Sequence, residues 1–485
     1  MQDDQGSLQR QLNAMASIYA NARITIIASG GQDANYGLRG IRGISQPRER
    51  HQDVFMLPKG CKIIGHVIQG GRQKSTWDRR AWTFQEDLFS RRRLVFSNNG
   101  LSWECPHATW PEDLELIYDF DAAFFVTHLR RRDQSILSLP WPNLATYFDL
   151  VCSFNTKQLT YEDDIADAFA GITASLGCTF EGGFLWGLPE MFFDVALLWQ
   201  PEAYGNMEIR IPNNPNRKNN IPSWSWMGWR GEIARDSWNS GSNYFGKTAV
   251  VSRIYQRDET IPILQWYIIE QPGMEVRPIV SPWRNYKDCV ISDQELPLGW
   301  TKHRCFNGRF PNQDFFFKHE SDPMAEFWYP MRIRDHTTKA AIRTPGILLA
   351  CRTQRAWLRL AENVMRKVRY YSHNLLDETG AVMGYLLLDR NLYLTSESES
   401  VEFTSQREKC ELIAISGGYE PSSIAAESPL KWACKEISRL TMFYEFYNVL
   451  WIEWCDGVVH RKALGRVLRH KWEALQLEWV DIILG

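Results

Sequence analysis

The dozen residues Ser75-Thr76-Trp77-Asp78-Arg79-Arg80-Ala81-Trp82-Thr83-Phe84-Gln85-Glu86 constrain the fold of this chain more than any other stretch. They carry two tryptophans, paired arginines and an adjacent Gln-Glu. No Gly or Pro interrupts them, so a helix is expected over 79–90. On such a helix Trp82 and Glu86 stand four residues apart on one face, which sets a carboxylate beside an indole. Burial there raises a carboxyl pKa, and carboxylates tuned in that way serve in glycosidic-bond cleavage. The competing role for Glu86 is structural: an ion pair to Arg79, Arg80 or one of Arg91, Arg92 and Arg93, tying helix to strand. Gln85 is a hydrogen-bond partner under either reading.

Upstream, Leu8, Leu12, Met15 and Tyr19 fall at helical spacing, with Ser7 as N-cap and Asn21 as a closing residue. Arg23 to Ala28 then reads as a strand buried on both faces, ended by Gly30-Gly31. A helix feeding such a strand is half of a βαβ unit, and the strand before it is absent. Ile63 to Ile68 is a candidate edge strand. After the signature dozen, Arg93 to Ser97 and Leu101 to Cys105 form a hairpin about Asn99-Gly100. Residues 111–200 are expected to be largely helical. There Thr160 and Asp163 make a capping-box pattern ahead of the stripe Ile165, Phe169, Ile172 and Leu176. The stretch from Phe184 to Trp199 is densely aromatic, and Asn213 to Asn220 is a polar loop. From Pro222 to Trp229 the pattern alternates with period two and places Trp224 and Trp226 on one strand face.

The C-terminal half is rich in short strand-like runs: Ile263 to Ile269, Ile347 to Cys351, Tyr385 to Leu388, and Leu412 to Ile415, the last stopped at Gly417-Gly418. Leu450, Ile452 and Trp454 share one strand face, Asp456-Gly457 is a hairpin turn, and Lys471 to Trp479 is a closing helix. A twisted β-sandwich or open barrel is expected there.

At 485 residues the chain exceeds one core. The expected division is 1–110, an α/β domain lacking its opening part; 111–235, a helical and aromatic linking segment; and 236–485, a β-rich domain. The whole is α+β. A net charge of −2 gives no global reason to bind nucleic acid or anionic membrane. With 21 tryptophans and 24 phenylalanines, tight packing is expected in which the indole N–H groups find partners. The ten cysteines lie singly, with no C-x-x-C, and read as buried thiols. The acidic, polar N-terminus is unlike a signal peptide, and no apolar run approaches a membrane span, so a soluble cytoplasmic protein is expected.

Other patterns are weaker. Arg91 to Arg93 and Arg130 to Arg132 sit near Asp87 and Asp133 and read as solvated faces or ion pairs, not nucleic-acid contacts. Cys105 and His107 have no second ligand pair, so no metal is expected. Gly37, Gly40 and Gly43 read as a turn-rich loop, not a phosphate loop. The tryptophans at 224, 226 and 229 read as core.

Several blocks together resemble the fungal heterokaryon-incompatibility (HET) domain. Ile18-Tyr19-Ala20-Asn21-Ala22 with the following strand resembles its helix–strand block. Trp77 with Arg80, Ala81, Trp82, Thr83, Phe84, Gln85 and Glu86 resembles its closing signature. Phe184 to Trp199, Pro222 to Trp229, Tyr447 to Trp454 and Asp481 to Gly485 resemble an extension of many such proteins. HET domains normally open with two apolar strands and an Asp-Cys block, which Met1 to Asp4 does not supply, so the resemblance implies a domain incomplete at its start. It implies a cytosolic protein of nonself recognition and programmed cell death, acting by partner binding or self-association, with no cofactor. HET domains are distantly similar to TIR domains, and from this comes the alternative that Glu86 is the catalytic acid of an NAD-cleaving, TIR-like pocket. A third reading is an inactive relative.

Overall fold

The computed structural model describes residues 14–47, 53–65, 75–112, 139–202, 207–213, 221–241, 259–270, 276–283, 296–304, 315–331, 346–367, 370–388, 409–421 and 443–485, single positions such as 59, 99, 107 and 332 excepted, together with the isolated residues 137, 244 and 333. Ser7, Leu8, Leu12, His66 to Ile68, Asn99, His107, Arg130 to Arg132 and most of the 213–220 loop lie outside the described residues, so expectations on them stop there. Contacts divide the chain into two compact units. Unit 1 comprises Met1–Ser138, Lys157–Thr160 and Asp167–Ser175; unit 2 comprises Leu139–Thr156, Tyr161–Ala166 and Leu176–Gly485.

Unit 1 begins with helix α1 over 14–21, where the Asn21 side-chain amide donates to the Ser17 carbonyl at 2.8 Å. Strand β1 (Thr25–Ala28) follows. It is buried on one face, not two. Ile27 is 2% exposed while Ile26 is 58% exposed, because among the described residues β1 sits at the end of its sheet and pairs only with β4. The expected strand at Ile63 is present over its described residues as β3 (Lys62–Gly65), paired in a small hairpin with β2 (Asp53–Met56).

The signature dozen is two helices, not one. Helix α2 (Thr76–Arg79) starts with a capping box, in which Ser75 Oγ accepts from the Asp78 N–H and the Asp78 carboxylate accepts from the Ser75 N–H. Helix α3 (Trp82–Phe89) follows a break at Arg80, whose backbone is extended. The break is made by a long-range bridge: the Ala81 N–H donates to the Gln158 carbonyl at 2.9 Å, and the Gln158 N–H to the Arg79 carbonyl at 2.7 Å. The strand β4 (Arg93–Phe96) is parallel to β1, so the helical segment between them is the crossover of a βαβ unit that begins, not ends, with β1. Strand β4 turns through Ser97 to Gly100 into β5 (Leu101–Glu104), which pairs with β6 (Thr109–Pro111).

Helices α4 (Leu144–Asn155) and α5 (Ile165–Leu176) are the helical part of the expected middle segment. The stripe Ile165, Phe169, Ile172 and Leu176 is buried throughout. The expected capping box is not formed. The Asp163 carboxylate accepts instead from the Asn213 N–H at 2.8 Å, and α5 starts after a 3-10 turn, Glu162–Asp164.

In unit 2 the aromatic stretch folds as the tiny hairpin β7 (Phe184–Leu185) and β8 (Leu188–Pro189), then helix α6 (Phe193–Ala196). At the hairpin turn, Gly187 has φ of 75°, and a Cβ there would meet the Trp226 ring at 2.6 Å. Trp224 and Trp226 are fully buried, but in a turn and a 3-10 helix. The expected strand is absent because Ser225 Oγ accepts from the Met227 N–H and caps that turn. The expectation that indoles find partners holds only in part: Trp226 donates to the Gly187 carbonyl, Trp199 to Trp224, Trp229 to Ser223 and Trp238 to Ala196, whereas the buried Nε1 of Trp224, Trp266 and Trp283 has no hydrogen-bond partner. Strands β9 (Met207–Ile209) and β10 (Trp229–Gly231) pair beside them.

The C-terminal half holds β11 (Glu259–Ile261), β12 (Tyr267–Ile269) and β13 (Arg277–Pro278), then a three-stranded sheet of β14 (Trp300–Arg304), β15 (Phe315–His319) and β16 (Asp322–Phe327). Six long strands follow: β17 (Leu348–Lys367), β18 (Tyr370–Leu376), β19 (Val382–Leu387), β20 (Lys409–Pro421), β21 (Phe443–Cys455) and β22 (Val458–Leu468). They pair antiparallel in the ring β17-β18-β19-β22-β21-β20, and β20 pairs back to β17. The ring is therefore closed, where an open barrel or sandwich was expected; closure leaves no free edge within it.

Strand β20 runs through Gly417-Gly418 instead of stopping there. Gly418 gives room to the Phe446 ring, which a Cβ would meet at 2.7 Å. A register shift lies at Trp451/Ile452; Leu450 and Ile452 are buried, while Trp454, in the exposed end of β21 beside the turn, is 41% exposed. Asp456 and Gly457, both with positive φ, form the expected turn. The closing helix α7 spans only Arg469–Glu473; the chain then turns back into β23 (Glu478–Leu484), which lies along β17. Trp472 of α7 is fully buried against Leu358, Leu386 and Leu412 in the barrel core.

Candidate functional site

Within unit 1 the side chains of the signature dozen divide between anchoring and a single carboxylate. Thr83 Oγ1 donates at the end of α2, reaching the Trp77 carbonyl at 2.6 Å and the Arg80 carbonyl at 2.8 Å. Gln85 is fully buried, and its amide nitrogen donates to the Asp167 carbonyl at 3.1 Å and the Ala168 carbonyl at 2.6 Å on α5. Ala81 is 1% exposed at the bridge to Gln158. Arg93 on β4 is 1% exposed and forks between two acids, Asp87 at 3.0 Å and Glu104 at 3.3 Å. The donors of Thr83 and Gln85 and the terminal nitrogens of Arg93 all reach carbonyl or carboxylate oxygens, while Gln85 Oε1 is buried with no hydrogen-bond partner.

Glu86 is different. Its half-buried carboxylate accepts from the Tyr19 hydroxyl of α1 and the Trp77 indole of α2. Burial raises its pKa above the usual carboxylate range, while the nearby Arg80 charge pulls the other way. Burial and the Glu86 charge together push the Tyr19 phenol up to about 12. The expected indole beside the carboxylate is thus present, but its N–H comes from Trp77; Trp82 stands four residues from Glu86 on α3, as the spacing required.

Of the arginines expected to pair with Glu86 in the structural role, Arg93 serves Asp87 and Glu104, and Arg79 donates to Thr76 Oγ1 at 3.3 Å. Arg80, exposed, is the one whose charge acts on Glu86. The carboxylate is therefore held by two neutral donors and one exposed cation.

The sign of this perturbation gives a stability test. A carboxyl group with a raised folded-state pKa favours the folded state at low pH, and that contribution is lost as pH rises from the ordinary carboxylate range through the raised value. Above that value the Glu86 carboxylate therefore costs unit 1 stability. Glu86→Gln, which keeps an acceptor for Tyr19, is expected to raise the unit 1 denaturation midpoint at pH 7 and to flatten its dependence between pH 4 and 7. A buried ion pair predicts the reverse, a fall in midpoint at pH 7, so denaturant titrations at the two pH values separate the roles.

Sequence reasoning missed the downstream contributors. Lys157 donates to the Asp78 carbonyl at 2.5 Å and stands 5.7 Å from the Phe84 ring centre, and Gln158 makes the backbone bridge. No local signal marks residues more than seventy positions away as neighbours. Tyr19 is visible in the sequence as a helical-stripe residue, but its role as donor to Glu86 is not.

The weaker patterns settle simply. Arg91 and Arg92 are exposed, whereas Arg93 is in a buried ion pair. Gly37, Gly40 and Gly43 all take positive φ, with the Arg39 guanidinium 4.0 Å from the Tyr36 ring centre, in a loop of turns. Trp224, Trp226 and Trp229 are core. Among the described residues, Cys152, Cys351 and Cys410 are buried thiols, whereas Cys61 and Cys455 are exposed, contrary to the general expectation. No group of three His, Cys, Asp or Glu among the described residues is placed to hold a metal. No helix among them is long and apolar enough to cross a membrane.

Comparison with known families gives one match: residues 1–86 fit the family described as heterokaryon incompatibility protein (HET), and the matched segment ends at Glu86 itself. No curated protein matches the chain, and no solved structure does.

Proposed function

With the HET segment at residues 1–86 as premise, we propose that this is a cytoplasmic effector or signalling protein of fungal nonself recognition. It acts through association with a protein partner, or with further copies of itself, to trigger programmed cell death. The observation that carries this reading is the match itself, supported by the way the signature block is built in. It is wedged against α1, β4 and the later helix α5, and is not an exposed linker. Fold alone does not assign activity, so the reading rests on the site and its family.

A second reading is favoured by one specific feature, the carboxylate of Glu86 in a partly desolvated setting. In a TIR-like pocket such a group stabilises positive charge on the ribose as nicotinamide leaves NAD, as paired or lone carboxylates do at glycosidic bonds generally. The two readings separate on one variant. Under association, induced expression of the full chain in a fungal host arrests growth and Glu86→Gln does so equally. Under NAD cleavage, Glu86→Gln relieves the arrest, the purified wild-type chain releases nicotinamide from NAD, and the variant does not while unfolding at an undiminished midpoint. Wild-type protein that releases no nicotinamide sinks the second reading.

A further inference from the structure

Gly171 stands in the middle of α5, where glycine is less favourable to a helix than alanine. The reason for it is a close approach. A Cβ at this position would sit 2.1 Å from Gln85 Oε1 and 2.9 Å from the Ala16 Cβ of α1. Gln85 Oε1 is buried with no hydrogen-bond partner, while the amide nitrogen of the same side chain is fixed by the Asp167 and Ala168 carbonyls one turn earlier on α5. Its orientation follows, since reversing the amide would set oxygen against two carbonyl oxygens. Gly171 is thus the contact point of α1, α3 and α5 in unit 1.

The two residues it touches adjoin the candidate site. Ala16 is one helical turn before Tyr19, and Gln85 immediately precedes Glu86. The distance between the donor Tyr19 and the acceptor Glu86 is set by how closely α1 and α3 each lie on α5 at Gly171. The backbone bridge from Gln158 to Arg79 and Ala81 fixes the other end of α3 in the same way. Both anchors lie more than seventy residues beyond the end of the HET-matched segment.

We infer that Gly171 is a positioning residue for the Tyr19–Glu86 pair, so that the HET segment acquires its site geometry only together with the downstream segments at 157–160 and 167–175. This inference stands whether or not NAD is cleaved, because its readout is the pair itself and not turnover.

The test is a double-mutant cycle in the full chain, with Gly171→Ala, Gln85→Ala and both together. The readouts are the Glu86 carboxyl titration by carbon NMR of glutamate-labelled protein, assigned with Glu86→Gln, and the amide exchange protection of residues 14–21. Gly171→Ala is expected to move the Glu86 titration down toward the ordinary range, as separation of the helices admits water, and to cut α1 protection at least tenfold. Removing the Gln85 side chain removes the nearer clash but leaves the 2.9 Å approach to Ala16 Cβ, so the double variant should be less perturbed than Gly171→Ala alone. An unmoved Glu86 titration in folded Gly171→Ala protein would overturn the inference. If Gly171→Ala does not fold, a double variant that folds supports it. A double variant that fails where Gln85→Ala folds contradicts it.

Discussion

Replacing Arg93 with alanine is expected to cost unit 1 roughly 3–5 kcal/mol, the range for breaking a buried ion pair by removing one partner. The guanidinium is 1% exposed and joins three elements: it donates to the Asp87 carboxylate and carbonyl at the end of α3, and it faces Glu104 on β5 from its own place on β4. Without it, Glu104, itself 7% exposed, keeps its burial and loses its cation. The loss is an uncompensated charge more than a missing attraction, and this has a consequence. Arg93→Met combined with Glu104→Leu should lose less stability than Arg93→Ala alone, although it removes more polar groups. Arg93→Lys should rescue little, since one ammonium cannot reproduce a fork between two carboxylates. Denaturant midpoints followed by hydrogen exchange in β4 and β5 measure all three, and a loss below ~1 kcal/mol for Arg93→Ala would refute the argument.

Arg461→Ala is expected to be of similar size, about 3–5 kcal/mol, but in unit 2 and for a different reason. Arg461 is 3% exposed and has its guanidinium carbon 3.8 Å from the Trp199 ring centre; its donors reach the Leu197 carbonyl at 2.8 Å and the Trp199 carbonyl. Burial alone pushes its pKa down to about 9. Truncation leaves two carbonyls at the end of α6 without donors and an empty space against the indole. A depressed arginine pKa means that the folded state binds fewer protons than the unfolded state from about 9 up to the usual guanidinium range. Wild-type unit 2 should therefore gain stability with rising pH in that window, and Arg461→Ala should abolish the gain. Equal pH slopes in the two proteins would contradict the assignment.

These two arginines also show what the sequence can and cannot reveal. Arg93 reads as one of a basic run of three, and nothing local separates it from its exposed neighbours Arg91 and Arg92. Only the strand's alternation, with Arg93 and Val95 facing inward, does so. Arg461 lies between His460 and Lys462 and reads as a solvated strand position; its partners are more than 260 residues away. What is legible is local and periodic: the α5 stripe, the Asp456-Gly457 turn, and the spacing of Trp82 and Glu86. What fails is the assignment of boundaries that distant contacts decide. Gln158 breaks the signature helix, and Asn213 takes the Asp163 carboxylate from its cap. The barrel is visible as a set of strands, but its closure depends on β17 meeting β20, a pairing that no local pattern encodes.

The most direct measurement is the viability of a fungal host after induced expression of the full chain, scored beside Gln85→Ala expressed at the same level. A death-inducing module held together by its signature block predicts arrested growth with the wild-type chain and growth at the uninduced rate with Gln85→Ala. Wild-type cells that grow like uninduced ones, with the protein present and folded, would contradict it.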